Sequence, residues 1–185
     1  MKIENNSKKI RGFTLIELLM VVAIIGLLSS VVLASLNSAR TKAKYAKGKT
    51  DIKQITLLVE VAKGQSGKHF GEITGSYCTE CACRGKGNVQ LLPKSDSCWT
   101  TSDSAISLLN TAAGGVVKFR SGVSDPWGGP YLFNENENEG GTCYTDNILS
   151  AGPNGIYYDS DDIVYNLPVI NCSPALGSHH PNVNF

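Results

Sequence analysis

The chain has 185 residues, 42% of them hydrophobic and 18% charged, with a formal net charge of +1. That length suits one ordinary domain plus an extension, the apolar content excludes a disordered chain, and the near-neutral total argues against a nucleic-acid binder. Only three His are present, and no Gly-x-Ser-x-Gly, phosphate-loop or His-Glu-x-x-His pattern occurs, so nothing points to an enzyme.

Charge is unevenly spread. Lys8, Lys9 and Arg11 crowd the first twelve residues, whereas residues 121–185 hold eight acidic side chains and no Lys or Arg. Such a region repels itself unless a cation, a basic partner or salt offsets it, or it is simply a solvated surface.

Residues 13–36 form an apolar run long enough to cross a bilayer as a helix. The basic residues just before it hold that end in the cytoplasm, which places the rest of the chain outside. Glu17 interrupts the run, and a carboxylate at membrane depth costs roughly 3 kcal/mol on insertion scales, which points to a specific partner. An ordinary secretory signal, cut after Val32-Leu33-Ala34, would have a shorter apolar stretch, and a plain membrane anchor leaves Glu17 unexplained.

The segment Lys8-Lys9-Ile10-Arg11-Gly12-Phe13-Thr14-Leu15-Ile16-Glu17 resembles the processing signature of type IV prepilins and type II secretion pseudopilins. The resemblance implies that a prepilin peptidase cuts between Gly12 and Phe13 and that Phe13 becomes an N-methylated first residue. Residues 1–12 are then a leader, and its loss leaves 173 of the 185 residues. Glu17 becomes the assembly residue, neutralising the α-amine of a neighbouring subunit. Relatives often carry a Pro near position 34, where this chain has Ala34, so a kink there is not expected to carry over.

Beyond the membrane run, Leu33, Leu36, Ala39 and Ala43 keep helical spacing, as do Ile52, Ile55, Leu58, Val59 and Ala62. One helix is expected over residues 13–63, with 13–36 as membrane segment or filament core, Gly48 as a weak point and Gly64 as its C-terminal cap. Residues 64–185 form the head. A Gly-, Ser- and Cys-rich loop follows Gly64, densest over residues 76–98. A short helix is expected over Ser102–Asn110, and strands at Val116–Phe119, Tyr131–Phe133, Cys143–Tyr144 with Ile148–Leu149, and Ile163–Tyr165. The order gives an α+β fold, and the resemblance implies the pilin-like version of it: a long helix packed on a small antiparallel sheet.

Asp125-Pro126-Trp127-Gly128-Gly129-Pro130-Tyr131 reads as turns anchored by a Trp, and it resembles a segment of major pseudopilins. The acidic loop over residues 150–163 groups oxygen-bearing side chains as calcium prefers them, with glycines that let carbonyls turn inward. It resembles the calcium loop of the same family. That alignment implies side-chain ligands from Asn154, Asp161 and Asp162 and carbonyl ligands from Ala151 and Asp159. Asn154 stands where relatives commonly have Asp, although Asp159 could restore the lost charge with its own carboxylate.

Six cysteines, Cys78, Cys81, Cys83, Cys98, Cys143 and Cys172, all follow residue 77. Outside the cytoplasm an even number suggests up to three disulfides; Cys78, Cys81, Cys83 and Cys98 could instead form a zinc site under reducing conditions. The family resemblance implies a structural subunit of a homo-oligomeric helical filament. It is inserted in the inner membrane before assembly and served by a prepilin peptidase, an inner-membrane platform and a cytoplasmic ATPase. A major pseudopilin of type II protein secretion is the leading reading. A type IV pilin for adhesion, motility or DNA uptake is the alternative, and a membrane-anchored extracytoplasmic binding domain that never polymerises is a further one.

Overall fold

A computed structural model describes residues 12–135 and 145–168. Residues 1–11, Cys143, Tyr144 and Cys172 lie outside the described residues, so the leader, the expected strand at 143–144 and two of the disulfide candidates do too.

Helix α1 spans Leu15–Ser66. Its first part, through residue 42, is a unit by itself. Every side chain from Leu15 to Leu33 is exposed, and the helix continues through position 34, as expected where Ala replaces Pro. This stretch is long and apolar enough to cross a membrane.

From Ala43 onward the chain forms the second unit. Here α1 becomes amphipathic, and Ile52, Ile55, Leu58, Val59 and Ala62 are fully buried on one stripe. Each larger member of that stripe contributes about 2 kcal/mol by leaving water. The helix overruns Gly64 by two residues and ends where Gly67 takes φ +67° and donates its N–H to Lys63 O at 2.9 Å. Gly67, not Gly64, is therefore the cap, because it supplies the left-handed conformation that closes a helix. Gly48 does not break α1. A Cβ there would fall 2.7 Å from Ile163 Cδ1 and 3.5 Å from the Trp127 ring, so the missing side chain makes room for close packing.

The segment after α1 is less of a loop than its composition suggests. It holds a short helix α2 (Phe70–Thr74) and two 3₁₀ turns, Thr79–Cys83 and Val89–Leu91. Helix α3 spans Ser97–Ala112 and starts five residues before the expected Ser102. Asp96 caps it by accepting the Cys98 N–H at 2.8 Å, and Cys98, Trp99, Ser102, Ala105, Ile106 and Leu109 make its buried face.

Strands β1 (Tyr131–Asn134), β2 (Asn147–Ser150) and β3 (Ile163–Asn166) form an antiparallel sheet in the order β1-β2-β3, with Tyr131 opposite Ser150 and Ser150 opposite Ile163. The expected strand at Val116–Phe119 is absent. Asn110 explains why: its amide accepts the Phe119 N–H at 2.9 Å and donates to the Phe119 carbonyl at 2.7 Å, so a side chain takes the place of a neighbouring strand.

Both faces of the sheet are covered. Tyr131, Phe133, Ile148 and Ile163 pack with the buried stripe of α1 and with Ile106 and Leu109 of α3. Leu132, Leu149 and Val164 pack on the opposite side with Val89, Cys83, Cys98 and Ala151. The strands read as apolar runs rather than alternating ones for that reason. The cysteine-rich segment is thus the second lid of the core.

Candidate functional site

At the N-terminus, Gly12 and Phe13 precede the helix, and Phe13 is 84% exposed. Glu17 closes a capping box with Thr14. Its Oε2 accepts the Thr14 backbone N–H at 2.9 Å and the Thr14 hydroxyl at 2.7 Å, while the Glu17 N–H donates to Thr14 Oγ1 at 3.3 Å. Thr-x-x-Glu at the head of an apolar run is a sequence signal for this device, and Thr14 is the residue that sequence reasoning passed over. In a single chain Glu17 therefore completes its own helix end, and its carboxylate keeps further lone pairs open to another donor.

The Asp125 turn is built around a buried carboxylate. Asp125 Oδ1 accepts the N–H groups of Trp127, Gly128 and Gly129 at 2.8–3.0 Å, and Oδ2 accepts the Ser150 hydroxyl of β2. Burial raises its pKa and these donors oppose the rise. Trp127 stands edge-on to Tyr45 of α1, with ring centroids 5.0 Å apart. Its anchoring role is as expected, but Asp125 organises the turn. That turn fixes the start of β1 and, through Ser150, the start of the acidic loop.

In the loop after β2, the Gly155 N–H donates to the Ala151 carbonyl at 3.1 Å. Gly152 takes φ +59°, and a Cβ there would fall 2.3 Å from the Asp161 carbonyl oxygen. This close approach brings the two ends of the loop together. The carboxylates of Asp159, Asp161 and Asp162 then lie with one oxygen each within 4.8 Å of one another. Asn154 sits beside them: its amide donates to Asp159 Oδ2 at 2.6 Å, its N–H donates to Asp161 Oδ2 at 3.2 Å, and its Oδ1 accepts the Ile156 N–H at 2.7 Å. Asp162 Oδ2 accepts the Tyr158 N–H at 2.7 Å, with Tyr158 at φ +74°. Burial raises the Asp161 pKa to about 6, helped by Asp159 and Asp162.

The loop fits a hard cation. Three carboxylates converge, and Asp161 Oδ1 is buried without a hydrogen-bond partner, which leaves an acceptor for an ion. Of the expected ligands, the loop brings together Asn154, Asp159, Asp161 and Asp162. Asp159 brings its carboxylate, not its expected carbonyl, to this cluster, and the Ala151 carbonyl accepts the Gly155 N–H. The Asn154 amide already bonds to Asp159, so the neutral residue joins a ring that an Asp would have made more repulsive.

Sequence reasoning missed the clamp on this loop. Gln90 Nε2 donates to the Gly152 carbonyl at 2.7 Å, Asn88 Nδ2 to the Asn154 carbonyl at 2.7 Å, and the Val89 N–H to the Gly155 carbonyl at 2.8 Å. All three donors come from the second 3₁₀ turn of the cysteine-rich segment and its N-terminal cap residue, Asn88. No local signal announces contacts across more than sixty residues.

Two disulfides hold that segment, Cys78–Cys81 and Cys83–Cys98. They favour the disulfide expectation over a four-cysteine zinc site for these residues. Beside the first, Glu135 is fully buried. It accepts the Thr79 N–H at 2.9 Å and the Thr79 hydroxyl, and burial pushes its pKa up to about 8.

Residues 7–33 match the prokaryotic N-terminal methylation motif. Over 153 residues, covering 83% of this chain and 82% of the relative, the sequence is 29% identical to type II secretion system core protein G of Pectobacterium carotovorum subsp. carotovorum. No solved structure matches. The chain thus carries a prepilin-type methylation motif at its N-terminus, followed by a long apolar helix and a head with a small antiparallel sheet, and is similar over most of its length to core protein G.

Proposed function

We propose that the chain is a major pseudopilin, a structural subunit of a filament that drives type II protein secretion. What supports this most is the reach of the similarity to core protein G, which extends over 153 residues and so runs far beyond the leader motif into the head. A match confined to residues 7–33 would suit every chain with a prepilin leader.

In this reading a prepilin peptidase removes residues 1–12 and Phe13 carries the methylated amine. The chain waits in the inner membrane as a single-pass protein with its head outside. A membrane platform and a cytoplasmic ATPase then move the apolar helix from lipid into the core of a filament. Glu17 of one subunit pairs with the Phe13 amine of the next, and an unmatched partner is penalised strongly enough to set the register. The same surface meets a different surface on each neighbour, so the polymer stays open. A calcium ion held by Asp159, Asp161 and Asp162, with Asn154 alongside, would turn their repulsion into attraction and order the loop.

One observation favours the second reading, a type IV pilin: the cysteine-rich segment forms a whole layer of the head, with two disulfides. Deleting the gene from its host separates the two. Loss of folded proteins from the medium, restored by the intact gene, supports the pseudopilin. Normal secretion with loss of long surface fibres assigns the chain to pili.

A further inference from the structure

The two disulfides differ in their surroundings. Cys83 and Cys98 are fully buried in the core under the sheet. Cys78 is half-buried, and Cys81, three residues on within the 3₁₀ turn Thr79–Cys83, is exposed. Arg84 places Nη2 3.6 Å from Cys78 Sγ and 3.6 Å from Glu80 Oε1. Glu80 is fully buried, with Oε1 3.2 Å from Cys78 Sγ and Oε2 without a hydrogen-bond partner. One ligand atom each from Cys78, Glu80 and Cys81 lies within 4.8 Å of the others.

We propose that the Cys78–Cys81 bridge is a reducible cover over a metal site, and that its reduction exposes Cys78, Cys81 and Glu80 as ligands for a thiophilic divalent cation such as zinc. The reductant is a dithiol. Its thiolate attacks the exposed Cys81 sulfur, the Cys78–Cys81 bond breaks, and Cys78 leaves as a thiolate beside the Arg84 guanidinium, which stabilises it. The second thiol of the reductant attacks the mixed disulfide and releases Cys81. Two electrons pass to the protein, the reductant becomes a disulfide, and two cysteine thiols result. Zinc then binds both sulfurs and displaces their protons to solvent. Zinc prefers four ligands drawn from thiolate, imidazole and carboxylate; here two sulfurs and the Glu80 carboxylate supply three, and water reaches the exposed Cys81 side for the fourth. The pair can open without loss of the fold because the buried Cys83–Cys98 bridge still holds the layer.

The test uses the full chain in detergent with millimolar calcium present, treated with graded dithiothreitol, desalted without oxygen and alkylated, with each cysteine assigned by peptide mass mapping. Cys78 and Cys81 should become reactive at least about tenfold faster than Cys83 and Cys98, following exposure. Zinc added after desalting should slow alkylation of Cys78 and Cys81 by about tenfold or more, with one ion retained per chain. Glu80→Gln should leave the reduction order intact and weaken zinc retention by about tenfold or more, as loss of a ligand does. The double variant Cys78→Ser, Cys81→Ser, with native circular dichroism as its folding control, should retain no zinc at this site. Simultaneous reduction of both bridges, alkylation rates insensitive to zinc, equal zinc retention by the oxidised chain, or wild-type affinity in Glu80→Gln would each overturn the proposal.

Discussion

From Leu15 to Leu33 α1 leaves every side chain exposed, whereas between Ile52 and Ala62 the same helix fully buries five apolar residues. The second stretch has its partners within the chain, in α3 and the sheet. The first is apolar around nearly its whole circumference and finds no cover among the described residues, which suits lipid or other copies of the chain. One charged group, Glu17, marks this unpartnered stretch, and it is the group a neighbour's amine would seek. The helix thus encodes one burial event completed on folding and, in the proposed filament, a second deferred to assembly.

Breaking the deferred event should have the largest effect. Glu17→Ala is expected to remove nearly all filament from a sheared-surface fraction while membrane levels of the processed chain persist. Glu17→Gln sharpens the point, because Gln can still complete the capping box with Thr14 but carries no charge. If the charge sets register, both variants fail to assemble; wild-type filament with Gln would show that the cap is what matters.

Disturbing the completed event should cost stability instead. Replacing Cys83 and Cys98 together by Ser removes a bridge spanning fifteen residues, worth about 3 kcal/mol by loop closure, and puts hydroxyls into the second core layer. The melting temperature of the detergent-solubilised chain should fall by several degrees, with insertion unaffected.

Much of this division can be read from residue patterns. The apolar run and the 3.6-residue stripe at Ile52–Ala62 are local signals, and the helix that carries them appears close to where it was expected. What failed to show was long-range. Val116–Phe119 has strand composition, but Asn110 occupies its backbone. Asp96 moves the start of α3 to Ser97 by capping a first turn whose Cys98 and Trp99 are buried in the fold. The clamp from Asn88, Val89 and Gln90 onto the acidic loop exists only through the tertiary fold, so its residues look like ordinary loop polar groups.

The acidic loop should respond to calcium. Binding to the folded loop alone raises stability by about 2.7 kcal/mol at a hundredfold excess over Kd. Melting of the full chain in chelator and in millimolar calcium measures this. Asp161→Ala with Asp162→Ala should abolish the difference, and magnesium should give less of it. Identical curves for the wild type would leave the loop a solvated surface.

A smaller effect is expected from pH. Burial raises Glu135 from 4.5 to about 8, so the folded chain holds a proton that the unfolded chain has released. That contribution to stability is complete below the unfolded value and is lost as pH rises through about 8. Melting temperature should therefore decline from pH 5 to pH 8, and Glu135→Gln should flatten the decline; an unchanged slope would place its origin elsewhere.

The most direct test of deferred assembly is the mass of the native N-terminus in material purified from the host membrane. An N-methylated Phe13 start, with 173 residues remaining after the leader is removed, is the expected result. A chain that keeps residues 1–12, or one that begins at Ser35, would contradict it, because neither presents Glu17 with the neighbouring amine on which the filament register depends.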